Sequence, residues 1–276
     1  MAALIDFERE YMLFAAKRLQ GMADIKDEEL TQLLNETMQE WLATKAEYLG
    51  DKTPDEYFSE MSADELVELM KAYCEKNMNV PEPLYGRIVA EKGCVDSLRN
   101  LVMDNAARQS ARASALSLLR DMNADGLSIM CVSLLGEDAE LVEIAADCLR
   151  IAGYDVVEML NERYEKAGSE EKAVILDILS CYPGVDATAD KLIERLYNDV
   201  KRRAFYANIA GKFGDDRLLE PLMRLSQLSD MEYFDYIEII NAIDALGGDA
   251  GEIREFYGDP DYEALRIAEE PDDNDN

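Results

Sequence analysis

The chain contains no histidine in its 276 residues, and this absence removes a wide range of chemistry. Ser-His-Asp and Cys-His nucleophile activation, His-ligated zinc and HExxH sites all require an imidazole. Positive charge is scarce as well, with 28 Lys+Arg against 59 Asp+Glu and a formal charge of −31. DNA, RNA and anionic membranes draw proteins to them through Lys and Arg, so a field of this sign excludes nucleic acid and membrane as expected partners. CxxC spacing is missing. The five cysteines, Cys74, Cys94, Cys131, Cys148 and Cys181, are odd in number, three lie inside apolar helical runs, and they read as reduced core thiols. No apolar run reaches the roughly 18 residues a membrane-spanning helix needs. The opening MAALIDFERE lacks the basic and apolar regions of a secretory signal. These features predict a cytoplasmic protein.

What is present argues for a folded, all-helical chain. Hydrophobic residues make up 48%, enough to offset chain entropy, and a chain of this length buries roughly 75% of its unfolded surface. Strand signatures are nearly absent, whereas apolar residues recur at three- and four-residue spacing. Thr53-Pro54-Asp55-Glu56 and Ser62-Ala63-Asp64-Glu65 each set a hydroxyl cap three residues before a Glu, the pattern of a capping box. Residues 1–80 form an N-terminal helical region with helices near 4–20, 27–48, 54–60 and 63–77. It holds Trp41 together with Phe7, Tyr11, Phe14, Tyr48, Tyr57 and Phe58. This set reads as an aromatic core, with an aromatic ligand pocket as the alternative. Asn79-Val80-Pro81-Glu82-Pro83 breaks helical continuity and marks a boundary.

Beyond residue 105 the sequence repeats. Leu119, Leu149 and Leu179 close successive helices at thirty-residue spacing, and Ile209 and Leu246 extend the series. Aspartates follow in the turns at 125, 155, 186, 215 and 249. Two helices of about 12 residues with two short turns account for the period, and such a pair cannot bury its apolar face alone, so neighbours must stack. Each turn aspartate is expected to cap the helix after it, and Asp155 with Glu158 and Asp249 with Glu252 keep capping-box spacing.

At these residues the chain resembles the HEAT-repeat family, in its short class of PBS-lyase HEAT-like repeats. The clearest unit runs from Val200-Lys201-Arg202-Arg203-Ala204 through Gly211-Lys212-Phe213-Gly214-Asp215 to Glu220-Pro221-Leu222. It is similar to that family's basic helix start, Gly-x-x-Gly-Asp turn and second-helix proline. The resemblance covers roughly residues 106–257 and implies a right-handed α-α superhelix, a HEAT/armadillo-like solenoid, over residues 81–257. Residues 258–276 follow as an acidic segment, disordered in its last part from Glu269. HEAT-like families include a di-iron hydroxylase, whose iron ligands include the missing histidines, and alkylpurine DNA glycosylases, which need a basic groove. They also include bilin lyases, for which nothing beyond the repeat pattern argues. Fold resemblance alone does not carry activity.

Several local motifs invite functional readings. Asp121-Met122-Asn123-Ala124-Asp125-Gly126 matches the start of a calcium-binding EF-hand loop, but the closing Glu is replaced by Val132, so it reads as a repeat turn. Lys201-Arg202-Arg203 is the densest basic cluster, and pairing with nearby acids is the expectation. Tyr233-Phe234-Asp235-Tyr236 is expected to seal the end of the stack, or else to contact a partner. Aligned on Leu160, Leu192 and Leu222, the second helices carry Glu158, Asp190 and Glu220 two residues before the leucine and Glu162, Glu194 and Arg224 two after. Two residues turn about 200° on a helix, so both rows point away from the core and share one face. The resemblance implies that this face lines a concave groove. It is either an ordinary solvated face or a docking groove for a basic segment of another protein. The expectation is a non-catalytic scaffold or adaptor without cofactor or metal. A bilin-lyase-type enzyme and an acidic DNA mimic or inhibitor are the alternatives, and the letters leave the oligomeric state open.

Overall fold

A computed structural model describes residues 4–20, 27–252 and 254–269. Among these residues the chain is all-helical, with sixteen α-helices and no strand beyond one isolated bridge between Ala46 and Lys52. None of its helices is long and apolar enough to cross a membrane. The described residues form two compact units, the first reaching to Met130 and including Glu137–Ala145, the second comprising Cys131–Gly136 and the chain from Ala146 on.

The first unit begins with α1 (Phe7–Arg18), α2 (Asp27–Leu42), α3 (Pro54–Ser59) and α4 (Ala63–Glu75). Both capping boxes form: Thr53 and Ser62 accept from the amides of Glu56 and Glu65, whose carboxylates accept in return from the amides of the caps. These backbone bonds hold the Glu56 and Glu65 carboxyls below their ordinary pKa range. The aromatic core assembles around Phe7, with ring centroids 5.4 Å from Phe58, 6.1 Å from Trp41 and 6.2 Å from Tyr57. Phe58 is wholly buried, worth about 1.5–3 kcal/mol. Tyr48 lies outside this core, 43% exposed. α2 stops at Leu42, short of the predicted 48, and the chain then turns back through Glu47–Leu49, where Gly50 and Asp51 take left-handed backbone (φ +69° and +61°). That turn still buries Leu49. Across the Asn79–Pro83 break, α4 packs against α5 (Glu82–Ala90), α6 (Val95–Met103) and α7 (Gln109–Asp121).

From α7 onward, helices follow one another with short turns between them. α8 (Leu127–Leu134) and α9 (Ala139–Arg150) are followed by α10 (Val156–Lys166), α11 (Ser169–Leu179), α12 (Asp186–Asn198), α13 (Arg203–Phe213), α14 (Leu219–Ser226), α15 (Tyr233–Ala245) and α16 (Pro260–Glu269). Alternate helices from α7 start at Gln109, Ala139, Ser169, Arg203 and Tyr233. Leu119, Leu149, Leu179 and Ile209, expected at thirty-residue spacing to close successive helices, are all buried to within 1%.

The turns depart from expectation. Asp215 caps as predicted, accepting from the Arg217 amide at 3.0 Å, but Asp155, Asp186 and Asp249 do not. An N-cap side chain reaches the helix amides only from extended backbone. Asp155 is already helical (φ −61°, ψ −22°) and makes no capping bond, so the Asp155–Glu158 box does not form. Asp186 is itself the first residue of α12, and Asp249 accepts from Gly251 in a turn with no helix directly behind it. Left-handed residues do the turning. Gly214, at φ +73°, ends α13 by donating its amide to the Ala210 carbonyl. The other glycine of that motif, Gly211, allows close approach, since a Cβ there would lie 3.1 Å from Ala242 Cα of α15.

Two buried arginines stitch neighbouring helices. Arg112 of α7 donates from Nε to the Val102 carbonyl at 2.7 Å and pairs with Glu137 at 3.3 Å. Arg203 of α13 repeats the device, donating to the Leu196 carbonyl at 3.1 Å and lying 3.8 Å from Asp235. Each satisfies a last-turn carbonyl that its own helix leaves unpaired. Tyr233 and Tyr236 pack on Phe256 at 5.5 and 4.9 Å, and Tyr233 also meets Tyr262, whereas Phe234 of the same run is 55% exposed. The four cysteines Cys74, Cys94, Cys131 and Cys148 are buried thiols, whereas Cys181 is exposed, a correction to its core assignment. It falls in a turn rather than on a helix stripe. The tail expected to be disordered lies, beyond Glu269, outside the described residues.

Two stability tests follow from this packing. Gly214→Ala places a Cβ in left-handed backbone and is expected to cost about 1–2 kcal/mol in urea unfolding; no loss would mean another residue sets the turn. Arg203→Met leaves the Leu196 carbonyl and the Asp235 carboxylate unpaired, with an expected cost of about 2–4 kcal/mol. Desolvation already raises the Asp235 pKa against the opposing pull of the Ala204 amide and Arg203. A raised folded pKa means stability lost as pH climbs through it. The Arg203→Met deficit should therefore be larger at neutral pH than in the acid range.

Candidate functional site

Three helices of the second unit carry the predicted row. In α10 the buried stripe is Val156, Leu160 and Tyr164. In α12 it is Thr188, Ala189, Leu192 and Leu196, and in α14 it is Leu222 and Leu225. The aligned leucines Leu160, Leu192 and Leu222 are completely buried. Residues two positions to either side are rotated to the far side of each helix. Accordingly Glu158, Glu162, Asp190, Glu194, Glu220 and Arg224 are all exposed.

The row divides into three pairs, one per helix. Glu220 and Arg224 bond to each other at 2.5 Å, so this end of the row is internally neutralised. Asp190 stands 3.7 Å from Arg217, whose guanidinium also bridges to Asp186 at 3.1 Å and Asp215 at 2.7 Å. Its hydrogen bond holds the Asp215 carboxyl below its usual pKa. Among the described residues Glu158, Glu162 and Glu194 make no ion pair, leaving three uncompensated carboxylates on the faces of α10 and α12.

Links between these helices pass through residues beside the row. Arg195 Nε donates to the Tyr164 hydroxyl at 3.0 Å, Lys191 pairs with Glu165 at 3.4 Å, and the Tyr197 hydroxyl donates to the Pro221 carbonyl at 3.3 Å. The ammonium groups of Lys172 and Lys191 stand 4.9 and 5.2 Å from the Tyr164 ring centre. Burial raises the Tyr164 pKa, against the opposing Arg195 bond. Asp190, Lys191 and Glu194 share an open cavity of about 320 Å³ with Tyr164, Glu165 and Lys172. The sequence reading missed these cations because it sampled only positions two residues from each leucine. Lys191 and Arg195 sit one before and three after Leu192, about 100° and 300° around the helix, where they flank the acidic face.

The other candidate motifs have structural employment. Asp121 accepts from the Tyr85 hydroxyl, the Asp125 carbonyl accepts from Arg99, and Asn123 and Gly126 take positive φ, so the Asp121–Gly126 segment forms the α7–α8 turn. Arg202 pairs with Glu170 and Asp199. With Arg203 already stitched to Asp235, two of the three basic-cluster residues are neutralised by acids, while Lys201 is exposed. No known family model matches the chain, and a comparison with curated proteins finds no match either.

Because Arg224 and Glu220 are 71% and 74% exposed, their bond is worth about 0.5 kcal/mol or less. Arg224→Met should thus leave the urea midpoint nearly unchanged while raising affinity for an arginine-rich peptide a few-fold by unmasking Glu220. A drop in peptide affinity would show that Arg224 itself makes the contact.

Proposed function

We propose that this protein is a non-catalytic helical-repeat scaffold, a right-handed α-α superhelix of the HEAT type, that binds a basic segment of another protein along the outward faces of α10, α12 and α14. The observation that carries the proposal is the exposure of all six predicted residues while Leu160, Leu192 and Leu222 behind them are fully buried. Recurrence of first helices at Gln109, Ala139 and Ser169, and again at Arg203 and Tyr233, supports the repeat reading. Stacked repeats present long surfaces suited to extended ligands. The unpaired Glu158, Glu162 and Glu194 supply the attraction, Arg217 and Arg224 grade it along the row, and the lysines around Tyr164 bound it on one side. Electrostatic contacts of this kind set specificity and association rate more than raw affinity. The site requires neither cofactor nor metal, and the acidic surroundings disfavour nucleic acid as the ligand.

The test compares two doubly charge-reversed proteins of equal net charge. Glu162→Lys with Glu194→Lys is expected to weaken binding of an arginine-rich peptide about tenfold or more at low salt, with helicity unchanged. Glu68→Lys with Glu75→Lys, on the exposed face of α4, is expected to weaken it much less. Calorimetric titration at two salt concentrations reads both. Equal losses would reduce the row to one part of a uniformly acidic surface and sink the proposal. Capture from native extract with the same pair of proteins then identifies a partner whose retention depends on the row.

A further inference from the structure

The turns joining α9 to α10 and α11 to α12 are unusual for surface loops in a chain with 32% charged residues. The first reads Ile151-Ala152-Gly153-Tyr154-Asp155, with one charge at its end, and the second, Ser180-Cys181-Tyr182-Pro183-Gly184-Val185, has none. Surface turns are ordinarily polar. Ile151 is 82% exposed and Tyr154 59%, and Cys181 and Pro183 are exposed beside them. Isolated apolar residues at a surface need no explanation, but contiguous ones do.

Tyr154 joins the two turns. The Tyr154 hydroxyl donates to the Pro183 carbonyl at 3.0 Å, and its ring stands edge-on to Tyr182 at 5.3 Å. Tyr182, buried beneath, donates in turn to the Leu149 carbonyl. Arg150 ties the two helix ends together through Asp177 at 2.6 Å. Tyr154 is therefore an aromatic group held in place before anything binds, the kind of residue that dominates interface energetics. Carboxylates flank the two turns in sequence. Asp155 is exposed and without an ion pair among the described residues, whereas Asp186, 88% exposed, pairs with Arg217 and Asp147, 55% exposed, pairs with Arg150. Arg150, the cation nearest in sequence to the first turn, is already shared between Asp147 and Asp177.

We infer that these two turns form a second docking surface, taking a segment of another protein that presents an apolar side chain against Ile151 and Tyr154 and flanks it with lysine or arginine. Charge complementarity selects that occupant. A second copy of this chain would bring the same carboxylates and a charge of −31 against its own, which repels it. The surface is built from turns, not from the faces of α10, α12 and α14, so it stands or falls separately from the acidic row.

Cys181 provides a reporter, because it is the exposed thiol and the other four are buried. The probes are three pentapeptides: phenylalanine flanked by lysines, serine flanked by lysines, and phenylalanine flanked by glutamates. The full chain is labelled with iodoacetamide at low salt and read by intact mass, with peptide affinity measured by fluorescence anisotropy. The lysine-flanked phenylalanine peptide is expected to slow Cys181 labelling and to bind about tenfold tighter than the serine peptide. Ile151→Ser, at a position too exposed to affect folding, should remove most of that advantage. Glu162→Lys with Glu194→Lys should leave it in place, which separates this surface from the row. Equal binding of the phenylalanine and serine peptides, or no change with Ile151→Ser, overturns the inference. So does protection of Cys181 that rises with protein concentration alone, which would make a second copy the occupant.

Discussion

A helix of eleven to thirteen residues in this chain carries one apolar stripe, and two such helices joined by a tight turn cannot bury both stripes against each other. Everything else in the structure answers that constraint. Leu160, Leu192 and Leu222 reach complete burial because each helix has neighbours supplying apolar surface. The close approach at Gly211 and Ala242 shows how tightly α13 and α15 are pressed together to achieve it. Stacking of this kind leaves a second debt at the helix ends, where last-turn carbonyls have no partner within their own helix. Arg112 and Arg203 settle it at Val102 and Leu196 while anchoring to acids at or near the start of a later helix. Two arginines of a cation-poor chain are thereby spent inside.

That allocation shapes the surface. With 28 basic residues against 59 acidic ones, every cation drawn into a structural bond leaves carboxylates elsewhere uncompensated. Arg217 gathers Asp186, Asp190 and Asp215, and Arg150 gathers Asp147 and Asp177. Glu158, Glu162 and Glu194 remain without such partners. The proposed recognition of a basic segment rests on this uneven neutralisation and not on total charge, which is spread over the whole chain. The turns carrying Ile151 and Tyr154 add the complementary ingredient, apolar area flanked in sequence by carboxylates.

Much of this was legible in the letters, because it depends on local rules. Helical periodicity, the capping boxes at Thr53 and Ser62, and the aromatic set around Phe7 and Trp41 follow from side-chain spacing along a helix. The exposure of Glu162 and Glu194 follows from a 100° step per residue. Turn chemistry was harder. The aspartates at 155, 186 and 249 look like caps in sequence, but capping depends on the backbone angle of the cap residue, and left-handed glycines chose a different path for the chain. Cys181 was misread for the same reason, since one residue past a helix end the stripe no longer predicts burial.

Sequence by itself determined the helical class and which faces of α10, α12 and α14 point outward, since each is a property of one helix and its own residues. Tertiary structure alone decided which charges are free. Whether Asp190 meets Arg217, whether Lys191 reaches Glu165, and whether Tyr154 locks onto Pro183 depend on groups roughly thirty residues apart in the chain coming within about 3–4 Å. At that range a guanidinium or ammonium neutralises a carboxylate and a hydroxyl fixes a ring. No spacing rule within a single helix contains that distance.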